Sequence, residues 1–384
     1  MNHLLIDVTF LINELKRKRP PHGIPRVILA YLLHYQDTIQ LIYRLRRRIF
    51  ILPKAHSQTI IKRVLLWDHR LYKEIILLII KGIFKAEKST PKERYFLLKI
   101  DQNGMKYSNY FSQLHHMGIK TLVMLHDLFP ITYPEYSDPN YAIQFEHNIQ
   151  LSLKNAVGII CVSKSTQNSV TQYVHSNNLT CPPTIAASLA PGFQPRASLQ
   201  IPPIIKSPYF VIISTIVTRK NHLLLLHIWR KLVDKLGEKT PKLVIIGKRS
   251  SECTSTLAML DRCQQVRQYV IEVTATDQEL HHYLAHATAL LFPTFAEGYG
   301  LPLIEALGIN VPVLSSNLAI FREIAQDIPD YLDPIDGVGW MQMIMDYAQE
   351  NSPRREAQLQ RLAQFKMPTW EEHFNKVDSF LKQL

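Results

Sequence analysis

Residues 289–316 read "ALLFPTFAEGYGLPLIEALGINVPVLSS", and this stretch decides the fold. "ALLFPT" (289–294) is a short apolar run of the kind buried in a parallel sheet, and "LPLIEAL" (301–307) has helical spacing. "VPVLSS" (311–316) is apolar and extended again. Strand, loop, helix and strand in that order form the unit from which parallel α/β sheets are wound. The loop carries unusual chemistry. Gly298 and Gly300 allow close approach to the backbone, and Pro302 suits a first helical turn, where its missing N–H is not needed. Free N–H groups at such a helix start suit sugar hydroxyls or phosphate oxygens. Glu297 stands at the loop entrance and Glu305 one turn into the helix. Carboxylates so placed accept paired hydrogen bonds from vicinal diols, one holding a ribose and the other a sugar ring.

The same alternation extends outward. Strands are expected at 4–10, 95–100, 121–127, 157–163, 209–215 and 242–247, with helices at 25–35, 141–156 and 221–236. The proline-rich stretch 181–208 reads as an interdomain linker. The expectation is an α/β chain of two doubly wound parallel-sheet domains, residues 1–200 and 201–365, facing a central cleft. Residues 366–384 would form a helix packing back on the first domain. Ligands of such folds bind at the carboxyl ends of the strands.

Composition excludes several classes. A chain of 384 residues, 46% apolar and 20% charged, can bury two cores and is not disordered over most of its length. Cys161, Cys181, Cys253 and Cys263 form no C-x-x-C pair or His/Cys cluster, so no zinc site or disulfide framework is expected and a reducing compartment fits. The first residues, "MNHLLIDVTF", read as a buried strand rather than a signal peptide. The formal net charge of +12 is concentrated: residues 44–99 hold 15 Lys/Arg against 4 Asp/Glu, interleaved with runs such as "IILLII". That run stops at Lys81, far short of the roughly 20 residues a bilayer crossing needs. Basic and apolar together suggest an anionic membrane surface, and the alternative is a solvated basic face on core-packing helices. No aromatic-interleaved basic motif speaks for nucleic acid.

"FPTFAEGYGLPLIEAL" strongly resembles the donor-site motif of family 4 retaining glycosyltransferases of GT-B fold. By that resemblance Glu297 contacts the transferred sugar and Glu305 the ribose, while Gly298, Tyr299, Gly300 and Leu301 line the sugar and diphosphate. "TIVTRKNH" (215–222) is similar to the family's basic loop, so Arg219 and Lys220 would meet the diphosphate. Fixed cations there stabilise the charge gathering on a departing nucleotide. "LVMLHDLFPITYPEY" (122–136) matches the mannosyltransferase-like branch, which sets His126 against the sugar and leaving phosphate with Asp127 beside it. "HGIPRV" (22–27) resembles the glycine loop after the first strand, with Gly23 and Arg26 near donor phosphates or acceptor. "CVSKSTQNSV" (161–170) also fits and brings Ser163 near the cleft. The catalytic set so implied is His126, Glu297 and Lys220.

Three departures stand out. Asn310 replaces a glycine after the helix, a substitution asparagine tolerates because it enters the left-handed region readily. Val273 stands where a glycine commonly lies near the base, and Ser214 and Thr215 precede Arg219 in place of a second arginine.

The resemblance implies a cytoplasmic retaining hexosyltransferase, peripheral on the inner face of the plasma membrane. Its donor would be a nucleotide sugar, GDP-mannose ahead of a UDP-sugar, and its acceptor a glycan or lipid-linked oligosaccharide of a surface polysaccharide. Metal and cofactor are expected to be absent, the sugar nucleotide being a substrate. A GT-B epimerase or phosphorylase, or a non-catalytic nucleotide-sugar-binding protein, would use the same scaffold.

Overall fold

The computed structural model describes residues 3–18, 20–86, 95–107, 109–192, 202–206 and 208–384. The chain divides into two units, residues 1–192 with 368–384, and residues 193–367. The described strands of the first unit are β1 (His3–Asp7), β2 (Gln40–Leu45), β3 (Arg48–Ile51), β4 (Tyr95–Lys99), β5 (Ile119–Leu125), β6 (Gly158–Cys161) and β7 (Thr184–Ala186). They lie in the order β3-β2-β1-β4-β5-β6-β7. All neighbours pair parallel except β3, which runs antiparallel to β2. Every residue of β4 and β6 is buried, as expected of strands covered on both faces.

Three expectations change here. The first strand stops at Asp7, whose Oδ1 accepts from the Thr9 backbone N–H at 2.9 Å and turns the chain into the helix Thr9–Lys16. The β2–β3 hairpin was not expected, because its turn at Arg46 and Arg47 lacks the usual glycine or asparagine. Arg46 enters the left-handed region itself at φ 56°. Part of the expected linker is sheet: Thr184–Ala186 forms β7, and Ala187, Leu189 and Ala190 are buried beyond it. Residues 193–201 and 207 of that stretch lie outside the described residues.

The described strands of the second unit are β8 (Tyr209–Ile213), β9 (Lys242–Ile246), β10 (Val270–Val273), β11 (Ala289–Phe292), β12 (Val313–Ser316) and β13 (Asp330–Leu332). Their order is β10-β9-β8-β11-β12-β13, with every pairing parallel. The helix His222–Leu236 buries Leu225, Leu226, Trp229 and Leu232 at helical spacing against this sheet. After the helix Leu301–Gly308, Asn310 takes φ 60°, the left-handed position foreseen for it.

Residues 368–384 belong to the first unit. A capping box between Thr369 and Glu372 starts the helix Trp370–Gln383. Its Phe374 stacks on His34 with ring centroids 3.8 Å apart and meets Tyr31 edge-on. Phe380 lies so close to Gly158 of β6 that a Cβ there would fall 2.8 Å from its ring.

In each sheet the chain winds one way and then crosses back. The strands flanking the reversal are β1 and β4 in the first unit, and β8 and β11 in the second. The carboxyl ends of such a pair form the usual ligand crevice of doubly wound sheets.

Candidate active site

Two loops meet at the β8/β11 reversal of the second unit. The chain leaving β8 makes a 3₁₀ turn at Thr218–Lys220, and Asn221 then takes φ 58°. The Asn221 amide donates to the carbonyls of Pro293 (3.1 Å) and Pro334 (2.8 Å). From the β11 side, Phe295 N–H and Thr294 Oγ1 both donate to the Arg219 carbonyl, at 2.9 and 3.1 Å. The Arg219 guanidinium in turn donates to the Ala296 carbonyl. Backbone and side chain thus lock residues 219–221 onto 293–297.

That lock sets two cations on one carboxylate. Lys220 forms an ion pair with Glu297, and Arg219 Nη1 lies 3.2 Å from the same Oε1. Side-chain exposure is 9% for Glu297, 14% for Lys220 and 21% for Arg219, so the pair is screened but not sealed. Burial pushes the Glu297 carboxyl up, yet Lys220 and Arg219 outweigh it and hold the group below its usual range. Lys220 also sits 5.1 Å over the Phe292 ring at the end of β11. His222 follows directly, but burial and the Lys220 charge push its ring down to about 3, so it stays neutral at pH 7.

Beyond Glu297 the glycine loop is sterically required. Gly300 has φ 105°, and a Cβ there would lie 2.7 Å from the Phe321 ring. Tyr299 is buried, while Gly298 and Leu301 are half-buried at the start of the helix Leu301–Gly308. Glu305 is 4% exposed on that helix. Gly247, after β9, leaves no room for a side chain: a Cβ would meet the Ser214 carbonyl oxygen at 1.9 Å. The sequence reading passed over Thr294, Asn221 and Gly247. The position of Asn221, an asparagine at a helix start directly after the two cations, was the available signal for one of them.

The remaining residues of the sequence-derived set lie in the first unit. His126 follows β5, and its Nε2 donates to the Ile100 carbonyl at 2.8 Å. Burial lowers its proton affinity, only partly offset by that bond, so the ring is neutral at pH 7 and Nδ1 carries the lone pair. The histidine can therefore accept from a hydroxyl. Asp127 Oδ1 accepts from Phe129 N–H at 3.3 Å. Gly23, at φ 61°, begins the helix Ile24–His34, and Arg26 on its first turn packs against Gly192. Ser163 is fully buried. Its hydroxyl accepts from Thr166 N–H at 2.9 Å and caps the helix Lys164–Ser176. That is a structural task the sequence reading did not assign.

The β1/β4 reversal of the first unit holds a second charged cluster. Lys99 Nζ lies 3.0 Å from both Asp7 Oδ2 and Asp101 Oδ1, with side-chain exposures of 0%, 1% and 4%. Burial opposes the Asp7 charge, but Lys99 and Thr9 hold its carboxyl below the usual range, while burial raises that of Asp101. Arg44 is buried nearby, donating to Asn103 Oδ1 at 2.6 Å and crossing Gly104, which has no space for a Cβ. Two of the cations counted as a basic surface at 44–99 are thus interior.

Residues 198–328 match the family model described as glycosyl transferases group 1. That match spans about a third of the chain and makes it similar to the group 1 glycosyltransferases. The chain is 26% identical over 266 residues to the O-antigen chain mannosyltransferase B of Escherichia coli, a match covering 67% of this chain and 69% of that protein. A serotype-specific mannosyltransferase, WbdA of Escherichia coli, is 26% identical over 225 residues, covering 55% of this chain but 27% of that longer protein. The crystal structure of Anabaena Alr3699/HepE in complex with UDP and glucose superposes with a TM-score of 0.67 at 11% identity, covering 99% of each chain. At that identity the likeness speaks for the fold alone, the pair of Rossmann-like units of GT-B glycosyltransferases.

Proposed function

We propose that this protein is a glycosyltransferase that moves mannose from GDP-mannose to a hydroxyl of a growing, lipid-linked surface polysaccharide, with retention of anomeric configuration. The observation that carries the reading is Glu297 held between Arg219 and Lys220 at the β8/β11 reversal, beside a helix start kept open by Gly300. Two cations converge on one carboxylate, a charge arrangement that suits an incoming anion. A nucleotide diphosphate arriving there competes with Glu297 for both cations, which frees the carboxylate to accept hydrogen bonds from the sugar. As the glycosidic bond breaks, the diphosphate gains charge that Lys220 and Arg219 neutralise. Glu305, buried one turn along the helix, takes the ribose diol. His126, neutral with an accepting Nδ1, suits a sugar hydroxyl better than a phosphate. The mannosyl assignment draws on the O-antigen mannosyltransferase relatives, and the UDP in solved structures of the same fold belongs to those proteins.

A donor panel tests this. GDP-mannose should raise the melting temperature more than GDP-glucose, UDP-glucose or UDP-N-acetylglucosamine, because binding to the native state stabilises by mass action. A UDP-sugar giving the largest shift would overturn the donor assignment. The positive charge comes from side chains in this reading, so transfer should survive EDTA. Proton NMR of the product should show the donor's anomeric configuration. Turnover of the sugar nucleotide without any acceptor would instead indicate an epimerase.

A further inference from the structure

The carbonyl that holds His126 lies just beyond the end of a strand. The β4–β5 register closes at Lys99 opposite Val123, so Ile100, whose carbonyl accepts from His126 Nε2 at 2.8 Å, sits past the last paired residue of β4. The β1–β4 register ends earlier still, at Ile6 opposite Leu98. Buried charge anchors the two residues that flank Ile100. Lys99 Nζ donates to Asp7 Oδ2 of β1 and to Asp101 Oδ1, each at 3.0 Å. Asp101 Oδ1 also accepts from the Asn103 N–H at 2.6 Å, which closes a tight turn directly after the strand. Asp7 is itself steadied through its other oxygen by the Thr9 N–H, and Thr9 Oγ1 accepts from the Arg44 N–H at 2.8 Å. Asp7, Lys99 and Asp101 are all buried, so little water competes for these bonds.

We infer that Lys99 and Asp101 are positioning residues, and that the buried Asp7–Lys99–Asp101 network fixes the Ile100 carbonyl and, through it, the orientation and tautomer of His126. Lys99 and Asp101 meet across Ile100, a clamp on both sides of the peptide between them. A ring held by a fixed acceptor keeps its proton on Nε2 and presents the lone pair of Nδ1 in one direction. An acceptor that wanders would let the ring follow, and a displacement of about 1 Å can cost about 10²-fold in rate. The chemistry of the anchor favours this role. A lysine and two carboxylates taken out of water are a poor source of stability, because desolvation offsets their attraction. Charge-assisted hydrogen bonds add direction, which apolar packing at a strand end does not supply. The contact of His126 with a sugar belongs to the function proposed above, whereas the hydrogen bond and its anchor do not depend on that reading.

Proton–nitrogen NMR of the full chain with labelled histidine tests the clamp without substrate. The Nε2–H signal of His126, identified by its absence from His126→Gln, should be protected from exchange and visible in water. Asp101→Ala should abolish it, while Asp101→Asn, which keeps an acceptor for Lys99 and for the Asn103 N–H, should retain it. Thermal melts verify that each variant is folded at the temperature of measurement. In transfer assays Asp101→Ala should lower kcat by at least about tenfold, and the drop should vanish in a His126→Gln background, a non-additivity that a general loss of stability does not produce. Absence of the signal from the parent, a folded Asp101→Ala variant that keeps it, or equal losses of kcat in both backgrounds would each overturn the inference. Failure of GDP-mannose as donor would count against the proposed function alone, since the NMR result stands without it.

Discussion

The two strand reversals of this molecule occupy the same place in their sheets and are built oppositely. Between β1 and β4, one lysine is enclosed by two aspartates and almost nothing is exposed. Between β8 and β11, one glutamate faces two cations, and each side chain keeps some contact with solvent. The first arrangement exhausts its cation. The second sets two cations against one carboxylate within reach of solvent. A doubly wound sheet offers the crevice at both reversals, and an accessible charge there suits a ligand where an enclosed ion pair suits a scaffold.

Substitution of the enclosed cation should have the largest effect. Lys99→Met leaves Asp7 and Asp101 buried together without their ion-pair partner, with only the more distant Arg44 charge to offset them, and should cost about 3–5 kcal/mol in urea unfolding. A loss under about 1 kcal/mol would mean water reaches the cluster and the contrast fails. At the open reversal the corresponding change should act on catalysis: Lys220→Ala should lower kcat by about 10²-fold with the fold retained. Normal kcat with only a raised KM would make Lys220 a holder of ground-state donor. Next, Glu305→Ala should weaken nucleoside diphosphate binding by about 1.5–3 kcal/mol in titration calorimetry. Unchanged affinity in a folded variant removes Glu305 from the ribose.

Glu297→Gln sharpens the comparison from the other side. Its cations can turn to solvent, so unfolding should show a loss of only about 1 kcal/mol. Because the folded-state carboxyl sits below its usual range, that contribution is present above the ordinary carboxylate pKa and disappears as pH falls through the lowered value. The variant should flatten that acid limb, and a cost as large as that of Lys99→Met would erase the distinction between the two sites. The smallest effect concerns the closed unit. His373 donates from Nδ1 to the Ser188 carbonyl and accepts at Nε2 from Tyr31, and burial first of all lowers its pKa to about 4. Stability should then be intact above 6.5 and fall as pH drops toward 4, costing under about 1 kcal/mol by pH 6. His373→Gln keeps a donor and an acceptor and should reduce that slope in pH-resolved melts.

Much of the open site was legible in the sequence because its parts are local. Glu297, the glycines, Pro302 and Glu305 fall within nine residues, and the Arg219–Lys220 pair is adjacent in the chain. Their convergence follows once β8 and β11 are neighbours, a pairing that alternating apolar runs and helices make expected. The closed site was invisible for the complementary reason. Asp7 and Lys99 are 92 positions apart, and a lysine ending an apolar run looks like surface charge until the opposing aspartate is known. The β2–β3 hairpin escaped because an arginine takes the left-handed turn position, against its propensity. β7 escaped because prolines on both sides of it suggested a linker.

The helix Trp370–Gln383 has a consequence for biogenesis. The ribosome makes all of residues 193–367 before it makes the helix whose Phe374 and Phe380 close the face around Tyr31, His34 and Gly158. Domains usually mature in the order in which they are translated. Here the second unit can finish folding first, while the earlier unit waits with an apolar face uncovered. A pause in translation between residues 193 and 367 would prolong that exposure. The half synthesised first is therefore the one whose apolar face stays open longest during translation.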